Sequence, residues 1–486
     1  MAKPCAELAP PKDLADTTTS RGELVREFSL RTAFSLAFAF ISPIVALYSI
    51  FALALASSGP GFWLGFPIAT AGQVLVALVF SMLVSRYPFE GSVYQWSKKL
   101  ISARYGWFAG WTYIWTLVFT MTTVALGGAH FLSELVGFDP GDKVIPIVLA
   151  LGLLCLSTWG NTHGRHVLSM MVALCVGAEL IGSVGVGTWL LVTGRMHSPL
   201  IIFSGSDFLN GSHGWLGFFD SKAAAAVATC GWAFVGFESA GSIAEEVKDP
   251  SRNIPRAMLY SLLFVAAVVA FSGLAFLLAV PDLAGAVAGS GDPVVDTLIY
   301  HFGPVIYRVL LILFVIGFLA CLLGVQTSAS RVVWAFARDG ELPFSHILVR
   351  LTGSDSLPAN AIVLVGALAA MIFALASTDL YAILVAFTIA GFYIAFGFPV
   401  LGAAAVLLRG QWVVTPFDLG RFTAPTILAA AAWIIFETIN IAWPRFASAP
   451  WYIDWAVALM VAFLGGLGVA IRAGLDRRVP LPDGAL

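Results

Sequence analysis

One carboxyl side chain interrupts an otherwise apolar stretch of this sequence. Glu238 lies in the segment from Trp232 to Gly241, in which Gly236 and Gly241 weaken a helix. In a bilayer, a charged side chain at this position would cost roughly 2.5 to 3.5 kcal/mol, and the backbone groups freed by a helix break would need partners in the protein or in a water-filled cavity. A segment with both features is expected to line a pathway.

The composition is that of a membrane protein. Hydrophobic residues make up 59% of the 486 residues and charged residues only 11%, whereas soluble proteins average about 25% charged residues. Apolar runs long enough to cross a bilayer predict an all-α polytopic fold with twelve transmembrane helices, near residues 32–56, 64–84, 106–133, 144–161, 167–193, 222–244, 257–280, 305–330, 360–377, 380–408, 424–442 and 452–471. The first run follows a polar segment and precedes many other runs, so it is predicted to be a spanning helix and not a cleaved signal peptide.

The distribution of Lys and Arg predicts the orientation. If the N-terminus is cytoplasmic, 21 of the 26 Lys and Arg residues fall on the inner side. The five on the outer side are Lys143, Arg195, Lys222, Arg308 and Arg445. Because cytoplasmic loops carry the excess of positive charge, both termini are predicted to be cytoplasmic, as tails of residues 1–30 and 476–486. The expected location is the plasma (inner) membrane, crossed many times.

Two of the predicted spans are interrupted at corresponding positions. The first contains Ile41-Ser-Pro-Ile-Val45, and the sixth, five spans later, contains Val235-Gly-Phe-Glu-Ser-Ala-Gly241. Paired interruptions of this kind indicate an inverted repeat with a binding site at the midplane of the membrane. An ordinary proline kink at Pro43 is the alternative for the first interruption.

These halves define the predicted domain organisation. A transporter domain covers residues 31–475, with repeat one at about 31–193, repeat two at about 222–408, and two extra helices at about 424–472.

Several motifs resemble one transporter family. The segment from Gly231 to Arg256 resembles the signature of the amino acid-polyamine-organocation (APC) superfamily. The motifs Gly59–Gly65, Ser85–Trp96 and Ala329–Gly340 resemble its amino acid/choline branch, which contains permeases for γ-aminobutyrate, choline and related amines. The resemblance covers about residues 25–475. It implies a LeuT-like fold, a five-plus-five inverted repeat with broken first and sixth helices plus two C-terminal helices, and secondary active transport by alternating access.

The resemblance also implies a substrate site at the two breaks. Trp232 matches the aromatic residue that closes over the substrate from the outside. Glu238 matches a carboxylate after the break that is linked in relatives to gating and protonation. The other implied substrate-binding residues are Ser42, Pro43, Ile44, Val45 and Ala46 in the first span, and Phe234, Val235, Gly236 and Phe237 in the sixth.

The chemistry of broken helices suggests which solutes could bind there. Free carbonyls at one half-helix end suit an ammonium group and free amides at another suit a carboxylate, so a zwitterion fits between them. Many relatives have glycines at the first break, whereas this chain has Ser42, Pro43 and Ile44, and proline lacks an N–H donor. That weakens the case for a standard α-amino acid and leaves room for an amine, a choline-like cation or an ω-amino acid.

Aromatic residues at the second break offer a further contact. A cation could lie over the faces of Trp232, Phe234 and Phe237, with about 0.5 to 2 kcal/mol from each cation–π contact. The alternative is that these rings only pack the helix bundle.

Other polar residues within the spans leave the coupling ion open. Glu179 lies in a stretch that resembles the fifth helix of amine and γ-aminobutyrate permeases; it could relay protons, pair with a substrate amine, or bond structurally to a neighbouring helix. Thr327 and Ser328 match positions where sodium-coupled members hold an ion, although hydroxyl groups that bond neighbouring helices are common in membranes. Proton-coupled relatives carry a lysine in the fifth helix, and the corresponding predicted span here, residues 167–193, contains no Lys. The coupling ion is therefore H+ or Na+, and His130 and Glu437 are expected to be structural.

Several classes of protein are disfavoured. The five cysteines show no spacing for a metal or a disulfide, so they are expected to be packing residues. No phosphate-binding loop points to an ATP-driven pump, no basic patch points to nucleic acid, and no nucleophile–base pair points to a hydrolase. Cofactors are not expected, and the expected partners are a small amino acid or amine substrate and the lipid bilayer.

The sequence thus predicts a secondary permease that imports small amino-bearing solutes, and not an enzyme. A nutrient sensor or a membrane-embedded enzyme on the same fold is the alternative. The charged run from Glu245 to Arg256 either locks an inner gate through ion pairs with the loop from Arg331 to Asp339 or forms a solvated turn. Exposed pairs contribute only about 0 to 1 kcal/mol each, so a gate would need several acting together.

Cysteine labelling tests the predicted orientation. In a cysteine-free background, the single variants Lys98→Cys and Arg338→Cys should react with a membrane-impermeant maleimide only from the cytoplasmic side, and Lys143→Cys only from the outside, because charged loops do not cross the bilayer. Reaction of Lys143→Cys from the cytoplasmic side alone would overturn the twelve-span topology.

Overall fold

The first span is built from three helical pieces. The computed structural model describes residues 29–138, 144–163, 170, 174, 176–204, 208–211, 216–353, 356–374, 380–445 and 450–476. A helix begins after Ser29, whose hydroxyl accepts from the Thr32 N–H, and runs over Leu30–Ile41. It resumes as Pro43–Tyr48 and continues as Phe51–Ser58. Proline suits the first position of a helix because no intrahelical bond needs its missing N–H.

The other spans follow in the predicted order, and each is numbered here by its place in that order. The second to fifth are Gly65–Arg86, Ala103–Val136, Ile145–Thr162 and Val176–Thr193. The seventh and eighth are Pro250–Ala279 and Pro293–Arg338. The last four are Ala359–Ala374, Leu380–Leu408, Thr423–Ala442 and Ala456–Asp476.

The sixth span is broken. It consists of the helix Lys222–Cys230, a 3-10 turn Gly231–Phe234 and a one-turn helix Ser239–Ser242, with extended backbone at Val235 (φ −93°, ψ 153°). Gly241, which the sequence placed in the interruption, lies inside the one-turn helix. The eighth span also departs from the prediction, because its helix continues across a kink at Gly303 to begin at Pro293.

Short helices connect the spans. Val93–Leu100 lies between the second and third spans. The others are Leu283–Val287, Ser345–Leu348 and Trp451–Asp454, with 3-10 turns at Gly59–Leu64, Pro199–Phe203, Gly217–Asp220, Ala244–Glu246 and Gly420–Phe422.

The predicted fold class is confirmed. Eleven helices of the described residues are long and apolar enough to cross a membrane, and no strand occurs among those residues. The ninth predicted span corresponds to a shorter apolar helix, Ala359–Phe373, so the count of twelve stays a prediction. The boundary between the ninth and tenth predicted spans, at Ser377 to Asp379, lies outside the described residues.

The broken spans lie at the centre of the bundle. The first span packs against the seventh and eighth, and the sixth packs against the second and eleventh. The most apolar window of the sixth span is 94% buried, whereas that of the twelfth is only 6% buried. The two breaks are therefore enclosed by other helices, and the twelfth span is peripheral.

The cysteines only partly match the expectation of packing residues. Cys230 and Cys321 are buried, as expected, but Cys155 is exposed on the surface of the fourth span. Leu156 and Trp159 beside it are also exposed, so the expectation was wrong for Cys155 because this face of the fourth span is apolar without being buried. Cys5 and Cys175 lie outside the described residues.

Candidate functional site

The two helix breaks lie against each other. Ser42, at the first break, has a left-handed backbone (φ +46°), and Gly236, at the second, has φ +99°. A Cβ atom on Gly236 would lie 2.2 Å from Cδ1 of Phe40 in the first span. Glycine is therefore required at position 236 by both its backbone angle and the close approach of the first span.

A carboxylate from the fifth span occupies the first break. Glu179 is 1% exposed. The Ile44 N–H donates to its Oε2 atom at 2.8 Å, and the Ser42 hydroxyl donates to its Oε1 atom. The side chain thus supplies an acceptor to backbone that the helix break would otherwise leave unsatisfied.

A π-helical turn directly follows Glu179. The turn covers Leu180–Gly185, and single π turns inside α-helices are frequent at functional sites. Its carbonyl groups bond to neighbouring spans: Tyr48 donates to the Gly182 carbonyl at 2.9 Å, and Ser272 to the Ser183 carbonyl at 3.0 Å. These bonds fix the fifth span against the first and seventh, and so fix the position of Glu179.

Glu238 stabilises the second break in a similar way. Its side chain is fully buried. The Tyr113 hydroxyl, from the third span, donates to Oε1 at 2.7 Å, and the Gly236 N–H donates to Oε2 at 3.0 Å. The carboxyl group therefore connects the unwound backbone of the sixth span to the third span.

Trp232 connects the two breaks. Its indole N–H donates to the Val45 carbonyl at 3.3 Å, and the side chain is buried. Phe234 packs edge-on against Phe66 with ring centroids 6.1 Å apart. Edge-on packing of this kind is a favourable arrangement of aromatic rings.

Phe237 also packs against aromatic rings. Its ring centroid lies 5.9 Å from that of Phe80 and 5.6 Å from that of Phe396. Of the three aromatic residues at the second break, Trp232 therefore joins both breaks, whereas Phe234 and Phe237 pack against rings on neighbouring spans.

The hydroxyl groups of the eighth span bond to adjacent spans. Thr327 donates to Oδ1 of Asn161 in the fourth span at 2.6 Å. Ser328 accepts from Ser242 in the sixth span at 3.0 Å. Nearer the N-terminus of the same helix, the Cys321 thiol donates to the Phe40 carbonyl at 2.9 Å, next to the first break.

Two residues expected to be structural have partners outside the breaks. His130 pairs with Asp292 at 2.7 Å at the end of the third span opposite the charged run from Glu245 to Arg256. Glu437, in the eleventh span, accepts from the Asn440 amide at 3.3 Å. Within the described residues no group of three or more His, Cys, Asp or Glu side chains is arranged to hold a metal ion.

A cluster of charged residues lies at the predicted cytoplasmic side of the sixth and eighth spans. Arg331 pairs with Glu246 at 3.3 Å, with both side chains at most 3% exposed. Arg338 pairs with Glu245 at 2.8 Å. Glu245 and Glu246 therefore form ion pairs with the eighth span, as the gate interpretation expects, whereas Lys248, Asp249 and Arg252 of the same run are exposed.

A third pair extends this cluster to the helix Val93–Leu100. Lys98 lies 2.6 Å from Asp339, which also accepts from the Tyr94 hydroxyl at 2.7 Å. Burial alone would raise the pKa of Asp339, but the hydrogen bonds from Lys98 and Tyr94 outweigh it and hold the pKa below its usual value.

Sequence reasoning missed Glu90, which lies inside this cluster. Its side chain is fully buried, and neither carboxyl oxygen has a hydrogen-bond partner among the described residues. Its backbone N–H donates to Glu245 at 3.2 Å. The available signal was a carboxyl residue within the motif Ser85–Trp96, beside the predicted inner gate. Tyr113 and Asn161 were also missed, because nothing in a single sequence pairs them with Glu238 and Thr327.

One cavity lies away from the breaks. It has a volume of about 570 Å³ and lies between the third, tenth and twelfth spans, where Tyr105, Trp111 and Phe398 line it. None of the predicted site residues lines it. Apart from Thr327 and Ser328, the predicted site residues instead lie at the two breaks or beside them.

Comparisons with known proteins point to one family. A family model described as amino acid permease matches residues 28–465. The chain is 28% identical over 370 residues to the branched-chain amino acid permease BcaP of Lactococcus lactis, covering 72% of this chain and 76% of that protein. It is 24% identical over 482 residues to the amino-acid permease BAT1 of Arabidopsis thaliana, covering 90% of each chain. It is 23% identical to the branched-chain amino acid permease BcaP of Bacillus subtilis, covering 93% of this chain and 96% of that protein.

The position of Glu90 in the charged cluster predicts that the thermal stability of the protein depends on pH through the protonation of this side chain. Burial and the carboxylates of Glu246 and Glu245 raise the pKa of Glu90, against the lowering effect of Arg331 and Arg338. A raised pKa in the folded state means that the stabilisation is complete below the ordinary value of 4.5 and is lost as the pH rises through the folded-state pKa. Melting temperatures in detergent should therefore fall less steeply with rising pH in Glu90→Gln than in the unaltered protein.

If Glu90→Gln and the unaltered protein give parallel curves, Glu90 binds equally many protons in the folded and unfolded states over the pH range tested, and folding does not raise its pKa.

Proposed function

The chain belongs to the amino acid permease family, and we propose that it is a secondary active permease that imports small amino-bearing solutes by alternating access. The observation that supports this most directly is the meeting of two broken spans at Ser42 and Gly236 in the centre of the bundle. Discontinuous helices at the centre of a transporter are where substrates and coupling ions bind. The superfamily expected from the motifs is confirmed, and the narrower placement in the amino acid/choline branch stays a prediction.

The proposed substrates are amino acids, γ-aminobutyrate, choline-like cations and other amines. The names of the relatives support the amino acid part of this range, since two are branched-chain amino acid permeases. The residues proposed to surround the substrate are those of the two breaks together with Trp232. Carbonyl groups at such breaks suit an ammonium group, which all of these solutes carry.

The inner charged cluster supports the alternating-access part of the proposal. The pairs Arg331–Glu246 and Arg338–Glu245 join the end of the sixth span to the eighth. Release of a substrate to the cytoplasm would require these pairs to separate, and binding from the outside would require them to hold. We place both termini in the cytoplasm and the protein in the plasma (inner) membrane, on the charge distribution of its loops.

The proposed coupling ion is H+ or Na+. Glu238 and Glu179 lie at the breaks and could carry a proton between the two faces. Thr327 and Ser328 lie on the eighth span, where their hydroxyl groups could contribute to a sodium site. Their bonds to Asn161 and Ser242 are the bonds that a sodium ion would have to replace.

The two alternative functions, a membrane-embedded enzyme and a nutrient sensor, differ in their support. The family and the relatives are transporters and not enzymes, so a membrane-embedded enzyme is not proposed. A nutrient sensor would bind the same solutes without moving them. Uptake into proteoliposomes separates a sensor from a permease, because only the permease accumulates solute.

Truncation of the residue that joins the two breaks should abolish transport. Trp232→Ala removes the indole that donates to the Val45 carbonyl and the face proposed to close over the substrate. We expect uptake in proteoliposomes to fall by at least about tenfold, the change that 1.4 kcal/mol produces, with normal membrane insertion. Trp189→Ala, a half-exposed residue of the fifth span, is the control and should transport normally. Near-normal uptake by Trp232→Ala would remove this residue from the site.

Neutralisation of Glu238 should change the pH dependence of uptake more than the affinity for substrate. Glu238→Gln keeps the size of the side chain and one oxygen that can accept from Tyr113, but it cannot gain or lose a proton. The measurement is the rate of uptake across a pH series, with Glu437→Gln as the control for a buried carboxyl elsewhere. An unchanged pH profile in Glu238→Gln would leave Glu238 with a purely structural role.

A further inference from the structure

The first break has no N–H group left for a substrate. Each N–H from residue 42 to residue 46 has an acceptor inside the protein, and Pro43 has no N–H to offer. The pairs are Ser42 to the Phe38 carbonyl (2.8 Å), Ile44 to the Glu179 carboxylate (2.8 Å), Val45 to the Ser42 hydroxyl (3.2 Å) and Ala46 to the Ser42 carbonyl (2.7 Å). The donors that a substrate carboxylate would need are therefore in use.

Glu179 holds its position through packing as well as hydrogen bonds. A Cβ atom on Gly317 of the eighth span would lie 3.2 Å from Glu179 Oε1 and 3.1 Å from the Ile44 side chain. On its own helix, a Cβ atom on Gly182 would lie 2.9 Å from Ile44. Because Gly317 and Gly182 have no side chains, the Ile44 side chain can pack directly against the eighth and fifth spans, and the Glu179 carboxylate can lie directly against the eighth.

The charges around the breaks favour a cation. Glu179 and Glu238 are both buried at the breaks, whereas residues 32–85, 166–194 and 223–247 contain no Lys or Arg. A buried carboxylate is strongly destabilising unless a positive charge or good hydrogen bonds compensate it. Glu179 and Glu238 already accept hydrogen bonds; an ammonium group would add an opposite charge to them, whereas a zwitterion would add a third carboxylate to the same region.

We propose that Glu179 takes the place of a substrate carboxylate at the first break and thereby selects organic ammonium compounds that lack a carboxylate. The inference rests on the proposed transport function and narrows its substrate class to amines. The ammonium group lies against the Glu179 carboxylate, and the Ile44 N–H and the Ser42 hydroxyl keep that carboxylate in place. Glu179 is therefore a specificity-determining residue.

Matched pairs of solutes test the inference on the unaltered protein. Isoamylamine and leucine share an alkyl group and differ by one carboxylate, and isobutylamine and valine form a second such pair. Thermal stabilisation of the purified protein measures binding, and counterflow in proteoliposomes measures transport, with protein-free liposomes to subtract the passive entry of neutral amine. We expect each amine to half-saturate at a concentration at least about tenfold lower than its amino acid, as expected when a buried charge lacks a counter-charge.

Variants of Glu179 test the role of its charge. Glu179→Gln keeps an oxygen for the Ile44 N–H but removes the charge, so it should lose the preference for isoamylamine over leucine. Glu179→Ala also frees the Ile44 N–H, so leucine should bind better to it than to the unaltered protein. Glu437→Gln removes a buried carboxyl group from the eleventh span and should keep the preference. Each variant is used only if it elutes as a monodisperse peak, and the comparison on the unaltered protein depends on none of them.

The outcomes separate this inference from the function on which it rests. Binding and counterflow of leucine as strong as those of isoamylamine would overturn the inference and leave the permease proposal standing. If no amino acid, γ-aminobutyrate, choline or amine in a wider panel exchanges across the membrane, the permease proposal fails and the inference fails with it. A preference for amines that persists unchanged in Glu179→Gln would assign the selection to another residue.

Discussion

Backbone that leaves a helix within the hydrocarbon region finds no hydrogen-bond partner in lipid, so the protein or a water-filled cavity must supply one. Both breaks in this chain meet that requirement with a carboxyl side chain. Glu179 accepts from the Ile44 N–H, and Glu238 accepts from the Gly236 N–H. Since an unsatisfied buried amide costs about 1 to 3 kcal/mol, removal of either acceptor would be expected to disturb the local backbone as well as any chemistry. The breaks and the carboxyl groups are best regarded as one structural unit.

The inner charged cluster is stabilised by ion pairs instead, and these pairs contribute unequally to the free energy of folding. Lys98 and Asp339 are 27% and 20% exposed, so solvent screens their attraction and the pair contributes no more than about 1 kcal/mol. Arg331 and Glu246 are almost completely buried, and removal of one partner of such a pair costs about 3 to 5 kcal/mol because the other charge is left without compensation. If the cluster is a gate, most of the energy needed to open it is concentrated at Arg331 and Glu246.

The sequence predicted the architecture well because the physics of membrane insertion is local. A run of apolar residues identifies a span without knowledge of its neighbours, and both interruptions were found at Pro43 and Gly236, whose backbone properties do not depend on partners. Such reasoning could not identify the hydrogen-bond partners of Glu179. Its bonds to Ser42 and Ile44 join residues more than a hundred positions apart, and a single sequence contains no information on which helices lie side by side. The same limit explains why Glu90 and Tyr113 were missed.

The connections of the two carboxyl groups constrain how the bundle can move. Glu179 joins the first span to the fifth, and the Tyr113–Glu238 bond joins the sixth span to the third. A movement of the first and sixth spans against the others, which alternating access by these spans would require, would stretch both connections at once. Because each connection includes a buried carboxyl group, its separation would leave a charge that needs either a proton or a cationic solute nearby. In the proposed mechanism, conformational change and the arrival of positive charge would therefore be linked by the same two side chains.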